Sequence, residues 1–452
     1  MRRLRLVFIL LIIGLCGQPA SAQLLSGLLG GSTTSTSTSS TSGSGGVIVR
    51  TNLGLLGLNL TCLLNNCTVV GNLDGNLNQV FLVRPNGGLL ADTLAGILRL
   101  VTGILDAEVD QLLVLPPTPA IATTVPPGLT ISSPVNYFGA TVWYGYANQP
   151  AASIVRVAQA QSTFHVSGSG IVADIDTGVD PNHPALKSML LPGYDFTRNQ
   201  AGGSEMTDLT LSSKSSGACS SCPPAFVNQY TAAMVDQYTA AMVDGTPTSA
   251  FGHGTMVMGV IHLVAPTAHL LPLKAFHSDG TGNLSDIIRA IYYAVQNHSN
   301  IINMSFDIMV SSTEFKNALN YATNHNVVCV ASAGNDGKQE IVYPAALQKN
   351  VIGVASTNNF DQRSTFSNYG NQIVWDAAPG EGIITTYPFG AYSAGSGTSF
   401  SAPFVSGTAS LLLNLHPGTN QSQAGSALTH AQWIGYNMGY GRLDVYRTLA
   451  GR

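Results

Sequence analysis

The stretch Gly-Ile-Val-Ala-Asp-Ile-Asp-Thr-Gly at residues 170–178 decides the fold, because an apolar run with β-branched side chains ends here in a carboxylate and a glycine turn. Further apolar runs of this kind follow and alternate with stretches of helix-forming sequence. They lie at residues 269–275, 300–305, 327–331 and 351–355. Apolar strands that alternate with helices are typical of a parallel sheet whose faces are covered by helices. The sequence therefore predicts an α/β fold, with a mainly parallel sheet flanked by helices, over residues 150–452.

The N-terminus has the layout of a secretory signal peptide. Three arginines within the first five residues precede an apolar stretch at residues 6–15, and Ala20-Ser21-Ala22 forms a small-residue cleavage site. A membrane anchor is the alternative, but the apolar stretch is shorter than the ~18 residues that a span needs. We expect residues 1–22 to be removed and the protein to be secreted, to the periplasm or the medium.

The composition limits the partners of the exported chain. Only 9% of the 452 residues are charged, the net charge is −4, and no basic cluster follows the first five residues. Since nucleic-acid-binding proteins carry basic patches, a nucleic-acid partner is not expected. After the leader no apolar run reaches the length of a membrane span, so no membrane contact is expected either. We expect a monomer.

Three regions precede the large domain. Residues 23–46 are dominated by Ser, Thr and Gly and are predicted to be a disordered linker. Residues 47–116 are predicted to form a small α+β domain, with strands near 47–50, 80–83 and 106–115 and a helix near 90–101. Residues 117–149 begin with a proline-marked linker.

The cysteines fit an oxidising compartment. Cys62 and Cys67 are close enough in sequence to form a disulfide, as are Cys219 and Cys222. The second pair is alternatively a redox or zinc motif, but zinc needs two more Cys or His ligands, and none is close in sequence. Cys329 lies in an apolar run and is predicted to be a buried free thiol. Near the second pair, Gln-Tyr-Thr-Ala-Ala-Met-Val-Asp occurs twice in tandem at residues 229–244, which indicates a tolerant surface loop.

Three glycine-rich segments carry reactive side chains. Asp176 ends the strand of residues 170–175, His253 lies in Gly252-His253-Gly254-Thr255 at a predicted helix start, and Ser399 begins an apolar helix. A hydroxyl becomes a nucleophile when a neighbouring base takes its proton, and that base works best when a carboxylate orients it. Aspartate, histidine and serine supply these three parts. A fourth segment, Gly334-Asn335-Asp336, adds an amide donor, the group that stabilises the oxyanion of acyl transfer.

The order Asp, His, Asn, Ser, with these surroundings, resembles the subtilisin-like serine proteases (subtilases) over residues 150–445. The resemblance implies a serine endopeptidase that acts on polypeptides without a cofactor. Ser399 would be the nucleophile, His253 the general base and acid, and Asp176 the residue that orients the imidazole. Asn335 and the backbone N–H of Ser399 would form the oxyanion hole, and the backbone around Ser305 would pair with extended substrate.

Residues 47–116 are similar to a subtilase propeptide. The resemblance implies a zymogen whose propeptide is an intramolecular inhibitor and whose tail occupies the cleft until it is cut. The cut is expected between Leu115 and about Ala147, so that residues 117–149 hold the linker and the mature N-terminal segment.

The chain departs from the family at several points. Asp176 and His253 are further apart in sequence than is usual for a compact subtilase, which indicates an insertion over residues 187–248. The loop that commonly carries calcium ligands in the family is missing, so no metal site is assigned. Asp174 occupies a usually apolar position on the same strand face as Asp176. Because two nearby carboxylates tend to raise one pKa, we hypothesise activity that extends to mildly acidic pH.

Substrate preference rests on Ser305, Phe306, Asp307 and Asp336, which are expected near the pocket for the residue that precedes the cut. The two carboxylates either favour a Lys or Arg side chain there or point to solvent, and the sequence leaves both possibilities open.

Three other functions fit the sequence less well. A catalytically silent binding or surface module would be expected to have lost part of the triad or the oxyanion amide, and all four residues are present. An esterase would need Gly-x-Ser-x-Gly and the opposite residue order. A nucleotide-binding protein would need its glycine fingerprint after a strand, whereas Gly168-Ser169-Gly170 precedes one.

Overall fold

The computed structural model describes residues 45–115, 126–209 and 250–451. Four features predicted from the sequence lie outside these residues: the signal peptide, almost all of the Ser/Thr/Gly-rich linker, the pair Cys219 and Cys222, and the octapeptide duplication.

Residues 47–115 form an N-terminal α+β module. Its strands are β1 (Val47–Thr51), β2 (Cys67–Asn72), β3 (Val80–Pro85), β4 (Ile104–Val109) and β5 (Leu112–Val114), and its helices are α1 (Gly54–Leu64) and α2 (Ala91–Leu98). The first four strands make an antiparallel sheet in the order β2-β3-β1-β4. A disulfide joins Cys62 of α1 to Cys67 of β2. The sequence predicted β1, β3 and α2, but it missed α1 and β2 and merged β4 with β5.

Residues 126–164 pack against the large domain. The elements are β6 (Pro134–Tyr137), β7 (Ala140–Trp143), α3 (Tyr144–Ala147), α4 (Pro150–Ile154) and α5 (Val157–Phe164). Tyr146 is fully buried, and its hydroxyl donates to the carbonyl of Gly259 at 2.8 Å. This segment is therefore fastened to the core by a buried aromatic anchor.

The large domain is built on an eight-stranded sheet. Its strands are β8 (Ile171–Asp176), β9 (Tyr194–Asp195), β10 (Gln200–Ala201), β11 (His269–Lys274), β13 (Ile301–Met304), β14 (Val328–Ser332), β15 (Ile352–Thr357) and β16 (Asp376–Pro379), in the spatial order β10-β9-β11-β8-β13-β14-β15-β16. Every pairing is parallel except that of β9 with β10. The α/β prediction is confirmed, and the five apolar runs of the sequence are the five neighbouring strands at its centre.

Helices cover both faces of this sheet. They are α6 (His253–Val264), α7 (Leu284–Gln296), α8 (Thr313–Asn324), α9 (Thr398–Leu415), α10 (Gln421–Leu428) and α11 (Val445–Ala450); the remaining strands are β12 (Thr281–Asn283), β17 (Ile383–Tyr387) and β18 (Ala391–Gly395). One core packs α6 and α9 on one face, and a second packs α7 and α8 on the other. Cys329 is a free, buried thiol of β14 in the second core, and burial raises its pKa to about 12.

Within the described residues, no helix combines the length and the apolar character that crossing a membrane requires.

Candidate active site

Asp176 and His253 meet where a strand ends and a helix begins. Asp176 is the last residue of β8 and His253 the first residue of α6, and both side chains are buried. His253 Nδ1 lies 2.7 Å from Asp176 Oδ1 and 2.9 Å from Oδ2. The contact needs a close approach of two backbones, because a Cβ on Gly254 would lie 2.0 Å from the carbonyl oxygen of Gly178. The glycines around His253 therefore allow this pair to form.

Ser399 is the second residue of α9 and points to the end of β13. Its hydroxyl donates to the carbonyl of Ser305 at 3.1 Å, and the hydroxyl of Ser305 donates to the carbonyl of Ser399 at 2.8 Å. The ring of His253 lies 5.9 Å from that of Phe400, the next residue of the chain. The structure thus places the start of α9, which carries Ser399, close to the ring of His253.

Asn335 follows β14 and faces the start of α9. Its Oδ1 accepts hydrogen bonds from the backbone N–H and the hydroxyl of Thr398, both at 2.9 Å. Because the amide oxygen is occupied, the NH₂ group is the part of this side chain available to an acceptor. The first N–H groups of a helix have no partner within the helix, so the N–H of Ser399 is a second donor at the same place.

Glu205 is a buried carboxyl that the sequence did not single out. It accepts from the N–H of Gly252 at 2.7 Å and from the hydroxyls of Thr255 and Thr177. Burial raises its pKa to about 8. Glu205 therefore ties the turn after Asp176 to the helix start that carries His253. It lies inside the stretch assigned to an insertion, and no periodicity or motif marks it.

A buried lysine, Lys274, stabilises the end of the strand that carries Asp176. Lys274 ends β11, is fully buried, and lies opposite Asp176 in the register of the sheet. Its ammonium group donates to the carbonyls of Thr177 and Phe276 and to Asp208 Oδ2 at 2.9 Å. The network fixes the turn that follows Asp176.

Asp174 lies deeper in the sheet than Asp176. It accepts a hydrogen bond from Asn303 Nδ2 at 2.9 Å, and the same amide donates to the hydroxyl of Ser305. Burial, with the nearby charge of Asp176, raises the pKa of Asp174 well above its ordinary value. The Asp174 carboxyl is thus linked through Asn303 to Ser305, the residue that contacts Ser399.

The four residues assigned to substrate binding lie in different surroundings. Ser305 contacts Ser399, Asp307 is buried, and Asp336 is exposed at the surface. The side chain of Phe306 is buried, with its ring 5.2 Å from that of Phe276. This ring packs in the core, and the assignment of Phe306 to substrate binding stays a prediction.

Among the described residues, no group of three or more His, Cys, Asp or Glu side chains is placed to hold a metal ion.

A family model and two curated relatives all match this chain to subtilisin-like serine proteinases. The model of the family described as "Subtilase family" matches residues 168–443. Thermitase of Thermoactinomyces vulgaris is 30% identical over 320 residues, which cover 68% of this chain and 97% of thermitase. The thermophilic serine proteinase of Bacillus sp. (strain AK1) is 31% identical over 282 residues, 62% of this chain, and the match spans 61% of that relative's length.

A solved structure extends the likeness of the fold. The crystal structure of fervidolysin from Fervidobacterium pennivorans, described as a keratinolytic enzyme related to subtilisin, matches with a TM-score of 0.68 at 22% identity. The match covers 90% of this chain and 61% of that one.

Proposed function

The chain belongs to the subtilase family of serine-type endopeptidases, and on this basis we propose that it is a secreted endopeptidase made as a zymogen that processes itself. The observation that carries the proposal is that four groups come together at the carboxyl ends of the parallel strands. Asp176 contacts His253, and Ser399 and Asn335 lie together at the start of α9.

In the proposed reaction, Ser399 Oγ forms a bond to the substrate carbonyl carbon while its proton passes to His253 Nε2. Asp176 accepts the Nδ1–H of His253, which fixes the tautomer and stabilises the imidazolium. Collapse of the tetrahedral intermediate breaks the C–N bond, and the leaving amine takes the proton from His253. A water molecule, deprotonated by His253, then attacks the acyl-enzyme in the same way. This step releases the carboxylic acid and restores Ser399.

Two donors are proposed to stabilise the negative charge on the carbonyl oxygen, the NH₂ group of Asn335 and the backbone N–H of Ser399. Both lie at the positive end of α9, an 18-residue helix. Loss of one such donor typically lowers kcat about 10²–10³-fold.

The contacts of the N-terminal module support its role as an inhibitory propeptide. Strand β5 pairs antiparallel with β12, and the N–H of Leu115 donates to the carbonyl of Gly280 at 2.8 Å. A segment that adds a strand to the enzyme in this way binds as an extended peptide substrate would. The chain beyond Leu115 is where we propose that self-cleavage occurs, before about Ala147.

Two carboxylates of the module cap helices of the large domain. Asp110 accepts from the backbone N–H and the hydroxyl of Ser285 in α7, both at 2.8 Å. Glu108 accepts from the hydroxyl of Ser312 and from the N–H of Thr313 at the start of α8. Acidic groups at helix N-termini are stabilising, so the module is held in place by specific contacts as well as by strand pairing.

The test is activity-based labelling and peptide hydrolysis by the full chain, expressed with its own leader. Wild type is expected to react with a fluorophosphonate and to cleave an unfolded protein substrate. Ser399→Ala should lose both activities, while Asn335→Gly should keep labelling at a lower rate and lose about 10²–10³-fold in kcat. Absence of both activities from the wild-type protein supports the alternative, a catalytically silent binding module.

A further inference from the structure

A buried carboxyl, that of Asp307, lies two residues from the contact of Ser305 with the proposed nucleophile. Two residues after Ser305, whose carbonyl accepts the Ser399 hydroxyl, the Asp307 side chain turns toward the chain that leaves β14. A Cβ on Gly334 would lie 3.4 Å from Asp307 Cγ, and Gly334 directly precedes Asn335. The carboxyl therefore lies near the segment that carries the oxyanion amide and two residues from the carbonyl that accepts the Ser399 hydroxyl.

This carboxyl lacks the partners that a buried charge normally has. Asp307 is only 9% exposed, and its Oδ1 has no hydrogen-bond partner among the described residues. The charged groups that act on it are the carboxyls of Asp336 and Glu340, both of the same sign. None of the three takes part in an ion pair within residues 45–115, 126–209 and 250–451. A buried charge without a partner is costly, so this group favours any cation that can enter.

The substrate can bring that cation. In the proposed reaction the attacked carbonyl lies between Ser399 and Asn335, so the side chain of the residue that supplies it enters the space between these two segments. Only Lys or Arg carries a positive charge far enough from its backbone to reach a recessed carboxyl. An apolar side chain would instead leave Asp307 unpaired in a drier environment.

We propose that Asp307, supported by Asp336 and Glu340, makes this subtilase select Lys or Arg at the residue that precedes the cleaved bond. The inference rests on the proposed function and adds its substrate class. Of the two possibilities that the sequence left open, the structure excludes solvent exposure for Asp307 and retains it for Asp336.

The preference should depend on pH with a defined sign. Burial, followed by the charges of Asp336 and Glu340, raises the pKa of Asp307 to about 7. The carboxyl is neutral below this value and charged above it. Selection of a basic residue is therefore expected to be weak near pH 5.5 and strong near pH 8.5.

The experiment compares two fluorogenic peptides that differ only at this residue, arginine in one and its neutral isostere citrulline in the other. The measured quantity is the ratio of their kcat/KM values on one enzyme, so a general loss of activity cancels. We expect wild type to favour arginine by about tenfold or more at pH 8.5, the equivalent of 1.4 kcal/mol. Asp307→Asn should bring the ratio close to one at every pH, and Asp307→Gly provides a second variant if the first folds poorly.

Asp361→Asn is the matched control, since it also removes one negative charge, but from a carboxylate already paired with Arg442 at 2.8 Å. It should keep the wild-type ratio. Equal cleavage of both peptides by wild type, or an unchanged ratio in Asp307→Asn, overturns the inference while leaving the peptidase activity established. Failure to cleave either peptide, together with absence of fluorophosphonate labelling, overturns the proposed function instead.

Discussion

The hydroxyl of Ser305 donates a hydrogen bond to the backbone carbonyl of Ser399, with an O–O distance of 2.8 Å. Within α9 that carbonyl would normally accept from the residue four positions later, but this residue is Pro403, which has no N–H. Ser305 therefore supplies the hydrogen bond that the proline removes. The first turn of the helix, which carries the proposed nucleophile, is held by a residue of the neighbouring strand end.

This relationship predicts a rescue. Ser305→Ala should lower the free energy of unfolding by about 1–2 kcal/mol and reduce kcat, because the Ser399 carbonyl loses its donor. In a Pro403→Ala background the helix can supply its own N–H, so the same substitution should cost clearly less. The measurement is a double-mutant cycle by chemical denaturation, with kcat read in parallel. Ser299→Ala, which removes a buried hydroxyl that has no partner among the described residues, is the control. Strictly additive effects of Ser305→Ala and Pro403→Ala would contradict the account.

Glu205 should stabilise the active site in a pH-dependent way. Its pKa is raised to about 8, so the folded state holds a proton that the unfolded state releases above about pH 4.5, and stability falls as pH rises through 8. Glu205→Gln cannot ionise and should be more stable than wild type at pH 9. Glu205→Ala leaves the N–H of Gly252 and the hydroxyl of Thr255 without their acceptor and should cost about 2–4 kcal/mol.

These values are to be measured by urea denaturation at pH 6 and pH 9, in chains that also carry Ser399→Ala so that self-digestion is avoided. Equal destabilisation by Glu205→Gln and Glu205→Ala would show that hydrogen bonding to the buried carboxyl is not what holds this site.

Asp174 tests the hypothesis of activity at mildly acidic pH. Burial raises the pKa of this carboxyl well above its ordinary value and so favours the neutral form, which asparagine imitates. The acid limb of the profile of kcat/KM against pH should therefore be the same in wild type and Asp174→Asn. This expected result speaks against the hypothesis drawn from the sequence, in which Asp174 extends activity to mildly acidic pH. A shifted limb would instead mean that Asp174 is charged during turnover.

The N-terminal module should depend on one buried ion pair. Arg50 of β1 forms two hydrogen bonds of 2.9 and 2.6 Å to Glu314 Oε2, and the Glu314 side chain is fully buried. Arg50→Leu leaves the buried Glu314 carboxylate without its ion-pair partner, so it should lower the free energy of unfolding by about 3–5 kcal/mol in the Ser399→Ala chain. Adding Glu314→Gln should recover part of the loss.

Arg84→Leu is the matched control, because Arg84 is an exposed arginine on β3 of the same sheet. It is expected to change stability by no more than about 0.5 kcal/mol. A similar loss from both arginine substitutions would mean that the contact with Glu314 is not what anchors the module.

The parts of the site that could be predicted from sequence are those whose chemistry demands a local pattern. Asp176, His253, Asn335 and Ser399 each lie within two residues of a glycine with positive φ, because left-handed turns are needed where strands end and helices begin. The central strands were predictable because both of their faces are buried, which forces continuous apolar runs.

The rest depends on contacts between distant residues. Glu205 has its role only because the chain folds back against the start of α6, and Phe306 turns into the core because the strand pleat directs it there. Helix α1 was missed because its surface carries leucines on both sides, with Leu56, Leu60 and Leu63 exposed, so the amphipathic period is blurred. Asp336 and Glu340, whose charges act on Asp307, likewise come from a segment about 30 residues further along the chain.

The most direct test of the central claim, that this chain is a self-processing serine peptidase, is the intact mass and N-terminal sequence of the secreted protein. Wild type should lose the segment that ends between Leu115 and about Ala147, and Ser401→Ala, which alters a buried hydroxyl in the same helical turn, should do the same. Ser399→Ala should retain the segment in full. Removal of the segment from Ser399→Ala at the wild-type position would contradict the account, because maturation would then need no nucleophile from this chain.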